Sequence, residues 1–220
     1  EALKKVVSIP SILPGKMGDP FLAEKALQEG KADFIGWGRP LIADPDLPRK
    51  VAEGRLEEIR RCIHCNECLR VQWAHRAPLR CTVNPVAGRE GQYGVIRRAD
   101  TKKRVVVIGA GPAGMEAARV AGLRGHDVVL HERCNELGGG QLKLASVPPH
   151  NDVLRRIVDY YAASLKNLGN VKVFLGSEIR AEDVIKGGAD IVILATGAEG
   201  VSPDAVGVKG DNVMTAHQLL

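Results

Sequence analysis

Cys62, Cys65 and Cys68 stand at C-x2-C-x2-C spacing, and Cys81 follows after twelve intervening residues. Each iron of a 4Fe-4S cube takes one thiolate, so a tight loop brings three sulfurs onto three irons while a returning segment supplies the fourth. That pattern implies electron transfer. Zinc is the competing reading, because His64 lies inside the loop and would complete a Cys3His set. Structural zinc usually pairs two knuckles, however, whereas here three cysteines sit together and the fourth stands alone. Disulfides suit the pattern less, since five cysteines in 220 residues with no secretory signal point to a reducing compartment. Arg60, Arg61, Arg70, Arg76 and Arg80 crowd the same segment and would offset the negative charge of a thiolate-held cluster; a solvated basic face is the plainer alternative.

A second group of residues suits phosphate. Gly109, Gly111 and Gly114 form G-x-G-x-x-G in Gly109-Ala110-Gly111-Pro112-Ala113-Gly114, directly after the β-branched run Lys103 to Ile108. A helix is expected from about Ala113 to Arg124, ended by Gly125, and a second strand over His126 to Glu132. In that setting Gly109 makes the tight turn, Gly111 leaves room for a pyrophosphate at the helix N-terminus, and Gly114 lets helix and strand pack closely. Glu132, 18 residues beyond Gly114, can accept hydrogen bonds from a ribose and disfavours a 2'-phosphate. ADP-ribose of NAD or FAD is therefore preferred to NADP. Glycines that merely shape a tight connection are the alternative. The cluster Gly138-Gly139-Gly140-Gln141 either brings further amides to the phosphates or is a flexible turn, and Thr196-Gly197 either closes over the same ligand or is punctuation. Cys134 reads as a structural thiol.

The elements that must position these residues fall into three stretches. Val6 to Pro10 reads as a buried strand, Pro20 to Gly30 as a helix and Ala32 to Gly36 as another strand, so the first stretch resembles two successive βα units that need a parallel sheet. Pro45 and Pro48 break the pattern, and from about Arg55 to Arg98 periodicity is slight outside the cysteine loop. Beyond Thr101 the order is strand, helix, strand, then a helix over Asn151 to Leu168 and strands over Val171 to Leu175 and Ile191 to Leu194. Expected domain bounds are 1–54, 55–100 and 101–220.

Bulk properties narrow the function classes. Hydrophobic residues make up 45% of the chain, enough for a real core. A formal charge of +5 and a pI near 9.0 come with only 4% aromatics and 26 acidic residues, which argues against nucleic acid and fits anionic cofactors. No apolar run is long enough to span a membrane and no targeting segment is evident, so the cytoplasm is the expected compartment. The termini suggest an excerpt of something longer.

The motif order is itself informative. Gly36-Trp37-Gly38-Arg39-Pro40-Leu41-Ile42-Ala43-Asp44-Pro45, then CIHCNEC with Cys81, then VVVIGAGPAGMEAA, HERCNELGG and LATGA, resembles the flavin and iron-sulfur oxidoreductases that include 2,4-dienoyl-CoA reductase, trimethylamine dehydrogenase and related NADH:flavin oxidoreductases. The resemblance covers nearly the whole chain. It implies an α/β architecture: the last two βα units of an FMN-binding TIM barrel, a 4Fe-4S segment at its rim, and an incomplete Rossmann-like domain for FAD or ADP. Cys62, Cys65, Cys68 and Cys81 would be the cluster ligands. Gly109, Ala110, Gly111, Pro112, Ala113, Gly114, Glu132, Arg133, Gly139 and Gln141, with Thr196 and Gly197, would surround the FAD or ADP. Gly15, Gly38 and Arg39 match the family's FMN-phosphate grip, in keeping with phosphate sites after the last two strands of such barrels; read from its own surroundings in the sequence, Arg39 is equally an ordinary surface arginine.

The implied function is transfer of electrons from NAD(P)H through FAD, cluster and FMN to the C=C bond of an enoate or enoyl-CoA. One alternative is an amine dehydrogenase of the trimethylamine dehydrogenase type, with ADP in the nucleotide site and an electron-transfer flavoprotein as acceptor. Another is a non-catalytic electron-transfer or FAD-binding module. Implied partners are a small-molecule substrate and NAD(P)H or that flavoprotein, with neither nucleic acid nor membrane, and with homo-oligomers allowed. The first six barrel strands and a second G-x-G-x-x-G are absent from these residues, so no catalytic side chain is named. The cysteine spacing lacks the extra residue that typical dienoyl-CoA reductases carry before the third cysteine and is closer to the amine dehydrogenases.

Overall fold

A computed structural model of the chain describes residues 3–201, 203–208 and 210–220. It divides into two compact units, Glu1–Val95 and Ile96–Leu220.

In the first unit, β1 (Ile12–Pro14) pairs in parallel with β2 (Phe34–Gly36) through the helix α1 (Pro20–Gln28). Asp19 starts α1: its carboxylate accepts from the N–H groups of Phe21 and Leu22, and Pro20 occupies the first turn, where no N–H is needed. The strand expected over Val6 to Pro10 is not formed; the paired residues are Ile12 to Pro14, in register with Phe34 to Gly36. Partner availability decides this. Asp33 accepts from the Ser11 N–H and the Lys4 ammonium, which anchors the chain just ahead of Ile12, while Val6 and Ile9 are left exposed.

Two short helices follow, α2 (Arg39–Ala43) and α3 (Leu47–Ala52). Pro48 does not interrupt structure, as the sequence suggests, but lies in the first turn of α3, the one helical position that tolerates proline. The cysteine segment contains a helix that its weak periodicity hid, α4 (Glu67–His75), and then the single turn α5 (Glu90–Tyr93).

The second unit holds β3 (Arg104–Ile108), α6 (Pro112–Leu123), β4 (Asp127–His131), α7 (Gly139–Ala145), α8 (Arg155–Lys166), β5 (Val171–Phe174), α9 (Ala181–Lys186), β6 (Ile191–Leu194) and α10 (Ala216–Leu219). The strands form one parallel sheet in the order β5-β4-β3-β6. Every strand expected from the sequence in this half is present within a residue or two. Along β3 and β4 alternate residues are buried, and Val105, Val107, Val128 and Leu130 pack with Met115 and Ala118 of α6. Tyr160, Tyr161 and Leu165 of α8 complete that core. The observed class is thus α/β with parallel sheets and a Rossmann-like second unit. No helix among the described residues is long and apolar enough to cross a membrane.

The Lys4 ammonium beside Asp33, with the Ser11 N–H, holds the Asp33 carboxyl well below the usual range, to about 2. Its contribution is complete above about pH 4, the ordinary carboxylate range, and is lost as pH falls through about 2. Carboxyl-selective NMR titration should give a midpoint near the lower value, and Asp33→Asn should remove this acid sensitivity from the first unit.

Candidate functional site

The carboxyl end of β3 is where the sheet changes direction: the chain crosses to β4 on one side, while β6 lies on the other. Loops leaving such a strand diverge and leave a crevice. Here the crevice is a cavity of about 490 Å³, walled by Gly109, Gly111 to Ala113, Glu132, Arg133, Gly138 to Gln141 and Ala195 to Gly200.

Its floor depends on close backbone approach. Gly109 has φ +101°, and a Cβ there would lie 2.3 Å from the Ala195 carbonyl oxygen. At Gly114 a Cβ would stand 1.8 Å from the Gly109 oxygen, so only glycine lets α6 start where it does. Gly111 is different: a Cβ would meet nothing closer than the Gly138 oxygen at 4.0 Å. The neighbours leave that space open, and it borders the cavity at the N-cap of a twelve-residue helix, whose first N–H groups and dipole attract anions. The cradle fits a pyrophosphate.

Glu132 follows directly on β4 and is 5% exposed. One carboxylate oxygen accepts from the Ala110 N–H at 2.7 Å and the other from the Cys134 N–H at 2.9 Å. These bonds fix the carboxylate at the cavity wall, and each oxygen retains acceptor capacity for a ribose hydroxyl. Of the residues expected to touch the nucleotide, Ala110 and Gly114 do not line the cavity: the Ala110 side chain is wholly buried in the core, and Gly114 is a packing position. Gly139 begins α7, and Gln141 donates to the Ala198 carbonyl at 2.7 Å, tying that helix to the strand-end loop containing Thr196 and Gly197.

Part of the wall lies outside the residues expected to surround the nucleotide. His131, Ser177, Glu178 and Ile179 line it, the last three in the loop after β5. His131 stacks on Phe174 at 5.3 Å between ring centroids and pairs through Nδ1 with the Ser177 hydroxyl at 2.9 Å; burial pushes its pKa down, favouring neutral imidazole. The rule that ligands sit beyond the carboxyl ends of parallel strands would have pointed to this loop.

The cysteine loop lies in the first unit. His64 and Asn66, at φ +58° each, curl it, and such left-handed turns direct successive N–H groups inward, as at many cluster sites. The Cys62 sulfur accepts from the His64 N–H at 3.4 Å, and Cys65 pairs with the Thr82 hydroxyl at 3.2 Å. Burial pushes the Cys62 and Cys81 thiols up; Arg39, close to Cys62, acts the other way. All five cysteines are thiols. Among the described residues no three His, Cys, Asp or Glu side chains converge on one metal ion. The thiolates of a cube each bind a different iron and need not meet at one point. Donor chemistry and sulfur hydrogen bonding therefore fit a cluster.

Asp44, 4% exposed, braces this segment, a role its sequence motif did not reveal. It accepts from the Lys50 ammonium and the Arg60 N–H at 2.7 and 2.8 Å. Gly15, at φ +86°, follows β1, and Gly38 with Arg39 follows β2, so both loops leave the same end of paired parallel strands. A Cβ on either glycine would meet nothing within 4 Å, and Arg39 donates to the Asn66 amide oxygen.

Residues 103–219 match the family described as pyridine nucleotide-disulphide oxidoreductase. The chain belongs to that family. Residues 1–58 match a second, the NADH:flavin oxidoreductase / NADH oxidase family, and the two together bear out the resemblance read from the motifs. Among its relatives, the chain is 48% identical to NADH oxidase of Thermoanaerobacter brockii, over 96% of this chain and 32% of the relative. It is 42% identical to cinnamate reductase of Clostridium sporogenes, over 100% and 32% respectively. A solved structure of 2-naphthoyl-CoA reductase with 2-naphthoyl-CoA superposes with a TM-score of 0.91 at 36% identity, covering 99% of this chain and 33% of that one. The chain thus spans about a third of the length of the curated relatives it matches.

The two glycines should separate by experiment. Gly114→Ala should cost about 3 kcal/mol through forced backbone displacement. Gly111→Ala should cost about 1 kcal/mol or less, the N-cap difference, yet lower adenine-nucleotide retention about tenfold. Chemical denaturation and extraction of bound nucleotide measure the pair.

Proposed function

We propose that this chain is the electron-carrying portion of a flavin-dependent NAD(P)H oxidoreductase whose intact form reduces the activated C=C bond of an enoate or enoyl-CoA. The observation that carries the proposal is the bare Gly111 cradle and the Glu132 carboxylate lining one cavity at the switch point of the sheet. It supports an adenine dinucleotide, read as FAD, with pyrophosphate on the Gly111 and Ala113 N–H groups and ribose on Glu132. Arg133, Gly139, Gln141, Thr196 and Gly197 line the same cavity and would enclose it.

In this reading Cys62, Cys65, Cys68 and Cys81 hold a 4Fe-4S cluster, and Gly15, Gly38 and Arg39 hold the phosphate of FMN. The β1-α1-β2 unit is then the closing part of a TIM barrel, consistent with the match of residues 1–58 to the flavin oxidoreductases. When bound, the flavins exchange electron pairs with nicotinamide or substrate and single electrons with the cluster. The chain's own residues keep these groups in place: Glu132 fixes the ribose end, the α6 N-terminus offsets phosphate charge, and sulfur hydrogen bonds offset cluster charge. Reduction consumes one NAD(P)H and one proton for each C=C bond, giving the saturated product and NAD(P)⁺. The likeness to cinnamate reductase and 2-naphthoyl-CoA reductase supports this substrate class.

Intact protein purified without oxygen should contain about four irons per chain, together with extractable FMN and FAD, and should oxidise NADH in step with loss of the cinnamate C=C absorbance. Cys65→Ser should remove the iron and stop the enoate-dependent turnover. Stoichiometric zinc without iron, or ADP as the sole nucleotide, would refute the reading.

A further inference from the structure

Of the four thiols at cluster spacing, Cys65 is exposed, whereas Cys62 and Cys81 are half-buried and Cys68 is buried. The Cys65 sulfur lies 3.2 Å from the hydroxyl oxygen of Thr82, the residue directly after Cys81. This contact spans 17 residues and ties the loop that carries three of the thiols to the segment that carries the fourth. The segment is itself anchored just beyond the threonine, where Val83 and Asn84 are both buried. The Asn84 amide oxygen accepts from the Arg60 guanidinium at 3.0 Å and from the Val86 N–H at 3.2 Å, and its amide nitrogen donates to the Ile42 carbonyl at 2.9 Å. The hydroxyl is thus presented to the sulfur by a backbone held in place. Between a free thiol and a hydroxyl, either atom can supply the shared proton. A sulfur that ligates iron is a thiolate and has none to give, so with a cluster bound the hydroxyl is the donor.

We infer that Thr82 is a positioning residue whose hydroxyl donates to the Cys65 sulfur and thereby raises the reduction potential of the cluster that this sulfur holds. The inference rests on the 4Fe-4S reading above. Gain of one electron makes the thiolate-held cluster more negative, and a hydrogen bond to a charged acceptor strengthens as that charge grows. The donor therefore stabilises the reduced state more than the oxidised one. Partners that hold a metal ligand from outside commonly carry such control. Threonine allows a clean separation of this effect from packing, because valine has its shape and puts a methyl group where the hydroxyl was.

The test uses the intact protein, purified anaerobically, with iron content, an EPR-monitored reductive titration and proton ENDOR of the reduced cluster before and after exchange into D2O as readouts. Thr82→Val should keep its iron and lower the ratio of reduced to oxidised cluster at a fixed potential by about threefold to tenfold, on the order of 30 to 60 mV for a one-electron couple. It should also lose one exchangeable proton coupling that wild type shows. Thr82→Ser retains the hydroxyl and should restore both the potential and the coupling. A Thr82→Val protein with full iron and an unshifted potential, or a shift that Thr82→Ser does not reverse, overturns the inference while leaving the cluster reading intact. Wild-type protein without iron overturns the cluster reading itself. If Thr82→Val loses its iron, the potential is read on Thr82→Ala, which brings no new group against the sulfur, and an unshifted value there refutes the inference equally.

Discussion

A parallel strand whose neighbours on its two sides are reached by separate crossovers leaves a crevice at its carboxyl end, and β3 is that strand. The cavity follows from this constraint. Its floor needs backbone within van der Waals reach of backbone, which is why Gly109 and Gly114 have no room for a side chain. Its mouth needs the reverse, and Gly111 leaves its space unfilled. Three glycines in one motif thus serve opposite steric ends, two closing a gap and one keeping it open.

The cysteine segment is organised by a different principle. Its regular structure is short, and polar contacts between segments take over the work of a hydrophobic stripe. Asp44 gathers the Lys50 ammonium and the Arg60 N–H, Asn84 gathers Arg60 and the Ile42 carbonyl, and Asp19 reaches Arg61 at 3.1 Å. Such networks are costly unless satisfied, and when satisfied they fix one geometry. In the proposed cluster reading, the loop that presents the thiols gains from that rigidity. The left-handed residues His64 and Asn66 show the same demand at the level of the backbone.

Legibility varied with the kind of interaction. Strands β3 to β6 and helices α6 and α8 were readable because their apolar residues recur with the period of the element, and burial on the sheet follows that period. The nucleotide motif was readable because its glycines are spaced by local turn geometry. Val6 to Pro10 has strand composition but no partner, whereas Ile12 to Pro14 pairs with β2. Helix α4 went unread because its start is set by the cysteine loop and not by an apolar stripe.

The sequence by itself determined which chemistry was available: four thiols at cluster spacing, a glycine cradle and an acid at a strand end, all specified by residue type and short-range separation. Only the tertiary structure decided how they are held. The Asp44–Arg60 and Asn84–Ile42 contacts span 16 and 42 residues, and His131 meets Ser177 across 46. Contacts of that kind depend on how distant segments pack, and no local period or spacing encodes them.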